Sequence, residues 1–221
     1  MAPPPRRVPA APRTPPAWEP AYLPRHEFQD AAVRDGLEYT GLDLSDQSET
    51  EHLELLRSRL HRVSLHHVQL ARATITDVAF HTCDLSNLHV TDSAVQRVAI
   101  MASRITGLGL VNCSLRDLTM TDCRGPLSSF RFSRLRDVRF VNCGLSGADF
   151  SHGQLTNVAF EGCDLDGAQF SGVRVMSARF SGCVLNGIGG VTDLAGAVVA
   201  EADLAGLAGV LAAAVGLTVE R

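Results

Sequence analysis

One period dominates this chain. From Leu60 to Leu185 every fifth residue is Leu, Ile, Val, Phe or Met, with Gly125 the single break. The residue two places earlier in each repeat, from Ser58 to Cys183, is always Ala, Cys, Val, Ser, Leu or Gly. The chain is 45% hydrophobic, so chance would fill fewer than half of these positions with apolar side chains. An amphipathic helix repeats its apolar face every 3.6 residues and a strand every 2. A period of five with two inward residues needs a backbone that turns a corner every five residues, and four corners close a square coil of twenty.

The sequence carries an independent sign of that twenty-residue coil. Cys83, Cys123, Cys143, Cys163 and Cys183 are separated by multiples of 20. Phe80, Ile100, Met120, Phe140, Phe160 and Phe180 form a second column at the same spacing. The string Asp77-Val78-Ala79-Phe80 returns as Asp137-Val138-Arg139-Phe140 and as Asn157-Val158-Ala159-Phe160. Residues 20 apart should therefore stack on one face. The expected core is Phe80, Leu85, Phe130, Phe140, Leu145, Phe150, Phe160, Leu165, Phe170 and Phe180, with the five cysteines at the small inward position.

The segments Cys83-Asp84-Leu85, Ala148-Asp149-Phe150 and Cys163-Asp164-Leu165 resemble the pentapeptide repeat family, whose motif is roughly Ala-(Asp/Asn)-Leu-X-X. The resemblance covers residues 60–185 and part of 41–59, where Gly41-Leu42-Asp43-Leu44 reads as the start of a structured coil. It implies an all-β solenoid, a right-handed quadrilateral β-helix of about 6.5 to 7 coils at this length. Gly125-Pro126 departs from the motif, and a loosened corner is expected there. The resemblance also implies two further properties. Some members mimic duplex DNA and modulate DNA gyrase, protecting it from quinolones, and related proteins dimerise through their C-terminal end.

The flanks read differently from the repeats. Nine of the ten prolines lie in the first 24 residues, so residues 1–25 are expected to be a disordered, solvated tail. Its Arg6, Arg7 and Arg13 are placed to meet an acidic partner. Residues 26–59 read as a transition or cap with an acidic insertion (Asp46, Glu49, Glu51, Glu54). Residues 186–221 read as a C-terminal cap. A helix is expected over 204–215, with Asp203 at its N-cap and Gly216 at its end. Leu204, Leu207 and Leu211 would form its apolar face and the seam of a homodimer.

Composition then narrows function. No G-x-S-x-G, phosphate-binding glycine loop or nucleophile–base pairing is present, so an enzyme is not expected, and no catalytic, cofactor or metal residues are assigned. The cysteines lack CxxC spacing and read as packing. His61 and His81 share an outward column, with His66 and His67 round the next corner, and all four read as solvated. Asp164 and Asp166 likewise read as surface residues, since Asp164 holds the motif's acidic position. Residues 60–185 hold 12 Arg and 10 Asp plus Glu, a net of +2. A mimic of DNA must reproduce phosphate density, so this near-neutral rod disfavours gyrase as the target. The expected function is a non-enzymatic scaffold that binds another macromolecule, a protein foremost, through flat faces. Arg116, Arg134, Arg136 and Arg139 are its candidate surface, read as part of an arginine belt spread around one coil; an anion-binding rod is the third reading. No apolar run is long enough for a membrane span or a signal-peptide core, and a reducing cytoplasm is the expected setting.

Overall fold

A computed structural model describes residues 7–45 and 49–218. The chain winds into a β-solenoid in which every coil pairs in parallel with the next. Between Leu60 and Phe180 the register advances by 20 residues per coil. Val95 lies beside Ile75 and Leu115, and Phe140 beside Met120 and Phe160. Three sheet segments show how two sides of the coil become one continuous ladder: Ser114–Thr121, Arg134–Val141 and Gln154–Glu161 each run through a corner for eight residues.

The corners explain the period of five. Every fifth residue from 62 to 187, Ser177 apart, adopts positive φ. Most side chains resist that conformation, whereas Gly, Asn and Asp accept it. Asp77, Asp117, Asp137 and Asn157 stand at such corners with φ of 60, 53, 55 and 53°. The motif's acidic second position has its own role. The carboxylates of Asp84, Asp149 and Asp164 accept the backbone N–H of Ser86, Ser151 and Asp166, two residues on, and so brace the turn. This places Asp164 and Asp166 in a turn.

All of the expected core residues are buried. In the C-terminal half the centre is a phenylalanine ladder. Phe130, Phe150 and Phe170 stack at 4.8 and 5.1 Å, and Phe140, Phe160 and Phe180 at 5.0 and 4.9 Å, with the two stacks meeting edge to face. Such pairs add about 0.5–1.5 kcal/mol each beyond burial. In the N-terminal half the centre is aliphatic, and the facing small position enlarges in compensation: Leu88 and Leu108 stand where later coils carry Ser128, Ala148 and Ala168. A void of about 30 Å³ remains among Ile75, Val90, Val98 and Leu110. Each cysteine is buried and free, and Cys83, Cys113 and Cys183 direct their S–H groups to the carbonyls of Leu60, Val90 and Phe160.

Several expectations are corrected. The solenoid has about nine turns, because pairing begins at Glu19–Pro20 against Leu37–Glu38 and ends at Val198–Val199 against Arg179–Phe180. Residues 37–45 and 49–59 pair with the coil that follows. The register is 21 up to Asp43 (Tyr39 beside Leu60, Asp43 beside Ser64) and 20 from Thr50 (Thr50 beside Leu70, Leu55 beside Ile75), so one added residue takes the first part out of step with the period of five. Asp46 lies outside the described residues; Glu51 and Glu54 lie on paired strands. The Gly125-Pro126 corner is not loosened. Gly125 N–H donates to Gly144 O and Leu127 N–H to Ser146 O. Ile105 fills the space a side chain at 125 would need: a Cβ there would lie 2.1 Å from its Cγ1. Val175 is only half-buried, beside a bulge that breaks the register between Thr156 and Ser177.

The ends are also rearranged. The helix spans Leu204–Ala214, and Gly216 follows it at φ 80°. Asp203 makes no side-chain bond to the helix. Its carboxylate instead accepts the Cys183 N–H at 3.0 Å, taking the next place in the cysteine column and closing it. Leu204, Leu207 and Leu211 lie on one helix face; Leu207 is buried against the solenoid while Leu204 and Leu211 stay about half exposed. Residues 7–18 are not a free tail: they lie along one corner of the solenoid, bonded to it from Asn157 down to Asp77.

Candidate interaction surface

The four candidate arginines divide at a corner. Arg116 and Arg136 are direct register neighbours, and Arg134 is two residues along the same strand. Arg174 joins Arg134 across Gln154. These four guanidinium side chains share one flat side. Arg139 lies beyond the Asp137 corner, where it forms a two-point ion pair with Glu161, Nε to Oε1 at 3.2 Å and its terminal nitrogen to Oε2 at 2.5 Å. Three of the four candidates thus share one side, and the fourth is engaged beyond the corner.

The outward positions of that side, from Thr74 to Met176, are Thr74, Thr76, Ala94, Gln96, Ser114, Arg116, Arg134, Arg136, Gln154, Thr156, Arg174 and Met176. None is acidic. Arg116 and Arg136 are 45% and 61% exposed. The bulge pushes Met176 out to 77% exposure at the edge of this patch, where a bulge commonly re-aims a side chain. Sequence reasoning missed Met176, because nothing in a period of five announces a bulge.

Elsewhere the charges pair across coils. Arg131 faces Asp149, Arg104 faces Asp84, Arg59 faces Glu38, and Arg72 and Arg57 bond Glu51 and Asp35. Arg97 holds Asp77 through two bonds of 2.6 and 2.7 Å. Burial pushes the Asp77 carboxyl up, but the Arg97 guanidinium and the Arg13 N–H outweigh it and hold the group below its ordinary value. Several thiols move the other way: burial raises Cys113 to about 11, and the preceding thiol of the column together with burial raises Cys143 and Cys163 to about 12, whereas the hydrogen bond with Cys143 lowers Cys123. Cys113, Cys143 and Cys163 remain protonated and unreactive at neutral pH. His61 and His81 lie ring to ring at 5.3 Å, as do His66 and His67 at 3.9 Å. Among the described residues no three His, Cys, Asp or Glu converge. No described helix is long and apolar enough to cross a membrane.

Five-residue corners, two inward columns and an Asx-braced turn define the coil, and a family model for a pentapeptide repeat region matches residues 104–170. That segment is a pentapeptide repeat region. Solved structures similar to the chain include HetL, a pentapeptide repeat protein involved in heterocyst differentiation regulation from the cyanobacterium Nostoc sp. Strain PCC 7120. That likeness has 14% identity and a TM-score of 0.39 over 80% of this chain and 93% of HetL. Full-length QnrB1, a plasmid-mediated fluoroquinolone resistance protein, aligns at 14% identity and TM-score 0.38 over 84% of this chain and 100% of its own. Rfr23, a pentapeptide repeat protein from the cyanobacterium Cyanothece 51142, aligns at 10% identity and TM-score 0.32 over 66% and 85%. No curated protein sequence matches. Along one ladder this chain carries exposed arginines on one side and buried carboxylates at the adjoining corner.

Proposed function

We propose that this protein is a non-enzymatic pentapeptide repeat scaffold that binds an acidic surface of a protein partner through the side bearing Arg116, Arg134, Arg136 and Arg174. The observation that carries this reading is the run of outward positions from Thr74 to Met176 without an acidic residue, on a side where two arginines stack in direct register. Parallel pairing holds their backbones at strand spacing, about 4.8 Å apart, so the guanidinium groups are presented at fixed intervals with little ordering left to do. Met176 supplies an apolar anchor beside them. Gyrase remains the alternative target and is disfavoured, since Asp84 is followed up its column by Arg104 and Arg124, and Arg97 separates Asp77 from Asp117. No uninterrupted acidic column is left to imitate a phosphate backbone.

The C-terminal helix supports a homodimer through the exposed part of its leucine face and the residues that follow it. Leu204, Leu211, Val215 and Leu217 are 43–72% exposed on one short segment, and Leu207 is spent on the solenoid. Buried free thiols suit a reducing compartment such as the cytoplasm.

The test is affinity capture from native lysate with the parent protein and an R116E/R134E/R136E variant side by side. The parent should retain a stoichiometric partner that the variant loses at least tenfold. Equal recovery by both overturns the assignment of this side. Inhibition of gyrase supercoiling by micromolar protein would shift the target to gyrase. Light scattering should give twice the monomer mass for the parent and the monomer mass for an L211E/V215E variant.

A further inference from the structure

The segment 7–18 is docked in a numerical register with the coils. Its less exposed residues recur every third position: Pro9, Pro12, Pro15 and Trp18. That is the repeat of a polyproline II helix, which has three residues per turn and a rise of about 3.1 Å per residue. One turn therefore advances about 9.3 Å, close to the about 9.6 Å spanned by two coils at strand spacing. The hydrogen bonds follow this match. Arg7 O accepts the Asn157 side-chain amide at 2.8 Å, Ala10 N–H donates to Asp117 Oδ1 at 2.9 Å, and Arg13 N–H donates to Asp77 Oδ1 at 2.9 Å. Steps of three along the segment thus meet steps of 40 along the solenoid, two coils each time.

The corner is built for such a ligand. Positive φ at Asp77, Asp117 and Asn157 aims their side chains outward in one row. On the intervening coils Arg97 holds Asp77, and Asp137 lies 3.3 Å from the Arg7 guanidinium. Beside this row runs the column Ala79, Ala99, Thr119, Arg139 and Ala159, small except for Arg139, whose side chain is drawn to Glu161; the small members leave room for proline rings. Pro9 with Val8 and Arg7 closes over Val138, Asn157 and Ala159. The covered carboxylates of Asp77, Asp117 and Asp137 are 7, 3 and 4% exposed, whereas Asp92 and Asp122, at corners of the same kind, are exposed. Trp18 ends the run under the Arg59 guanidinium, 4.0 Å from its ring centre.

We propose that the corner from Asp77 to Asn157 is a receptor for a polyproline II segment of Pro-x-x-Pro-x-x-Pro spacing, read at three residues per two coils, and that residues 7–18 are its resident ligand in cis. Recognition has two parts. Prolines at 9, 12 and 15 hold the extended conformation, and the N–H of the residue that follows Pro9 or Pro12 donates to an aspartate. Arg7 adds charge to the acidic row.

Substitution by proline isolates the second part. A10P/R13P removes both donating N–H groups while favouring the same backbone conformation. A fluorescent peptide of residues 7–18 should bind full-length A10P/R13P protein at least tenfold more tightly than the parent, whose site is filled. Trypsin should cut after Arg7 at least tenfold faster in the variant. The same peptide with one alanine inserted after Ala11, which breaks the three-residue step, should lose at least tenfold in affinity. Adding D77G/D117G to the A10P/R13P protein should abolish peptide binding, with an unchanged circular dichroism spectrum showing that the coils persist; glycine suits the positive φ at both corners. Absence of peptide binding to the released protein, or equal affinity for the in-step and out-of-step peptides, overturns the proposal.

Discussion

Asp117 and Arg116 are adjacent in sequence, as are Asp137 and Arg136, yet the solenoid puts them to different uses. The aspartates stand at a corner beneath the segment 7–18 and are almost fully covered. The arginines stand on the open side, half exposed, with only long contacts of 3.5 and 3.8 Å to those same aspartates. The fold treats both alike, since each column repeats every coil. What separates them is cover. A carboxylate removed from water must be bonded and becomes part of the structure, whereas a solvated guanidinium contributes little to stability and stays free for recognition. In a solenoid, charge type by itself therefore says little about role; the neighbouring chain decides it.

Perturbations should separate the shared scaffold, the covered corner and the open side in that order of size. Phe150 stacks between Phe130 and Phe170 and meets Phe140 and Phe160 edge to face, so it belongs to the core that both regions share. Phe150→Ala should cost about 3–5 kcal/mol and lower the denaturation midpoint of the solenoid as a whole. A transition that leaves strand signal at the parent midpoint would argue against one stacked core. Arg97→Met comes next, because it strips a covered carboxylate of its two-point partner. About 1–3 kcal/mol should be lost at pH 7 in urea titrations.

The pH dependence has a defined sign. Asp77 is held below its ordinary value of 3.8 despite burial, with Arg97, the Arg13 N–H and the more distant Arg57 facing it. Its contribution is present above that ordinary value and fades as pH falls through the lowered one. The difference between parent and Arg97→Met should accordingly shrink below about pH 4. Equal differences at pH 7 and pH 3 would contradict that linkage. Arg136→Ala is the smallest change: under about 0.5 kcal/mol in the same titrations, since surface charges away from a network contribute little. A loss above 1 kcal/mol would mean that the open side is structural as well.

The period of five was legible because it is written in two columns of inward residues, and the twenty-residue coil because Cys83 to Cys183 repeat it without a slip. The first coils were hidden for a local reason. The pairing of Tyr39 with Leu60 spans 21 residues, and Glu19 with Leu37 spans 18, so neither falls on the column. Asp203 looked like a helix cap because it precedes an apolar helix; only the coil map shows that its carboxylate also stands twenty residues after Cys183. The docked segment was the hardest to read. Proline at 9, 12 and 15 has the same composition whether solvated or seated, and the aspartates that receive it are spread over 40 residues of sequence. One signal was available: the corner position of each repeat favours Asp, Asn and Gly, and Asp77, Asp117, Asp137 and Asn157 share one such column. The arginine side needed the same map, since Arg134, Arg136 and Arg139 are close in sequence and the corner at Asp137 separates them.

The contrast between covered and open charge rests on the docked segment, and amide hydrogen exchange of the full-length protein, resolved by residue, measures it most directly. The bonds to Asp117 and Asp77 predict slow exchange at Ala10 and Arg13, against fast exchange at Val8, Ala11 and Thr14. Uniformly fast exchange across these five residues would contradict the account.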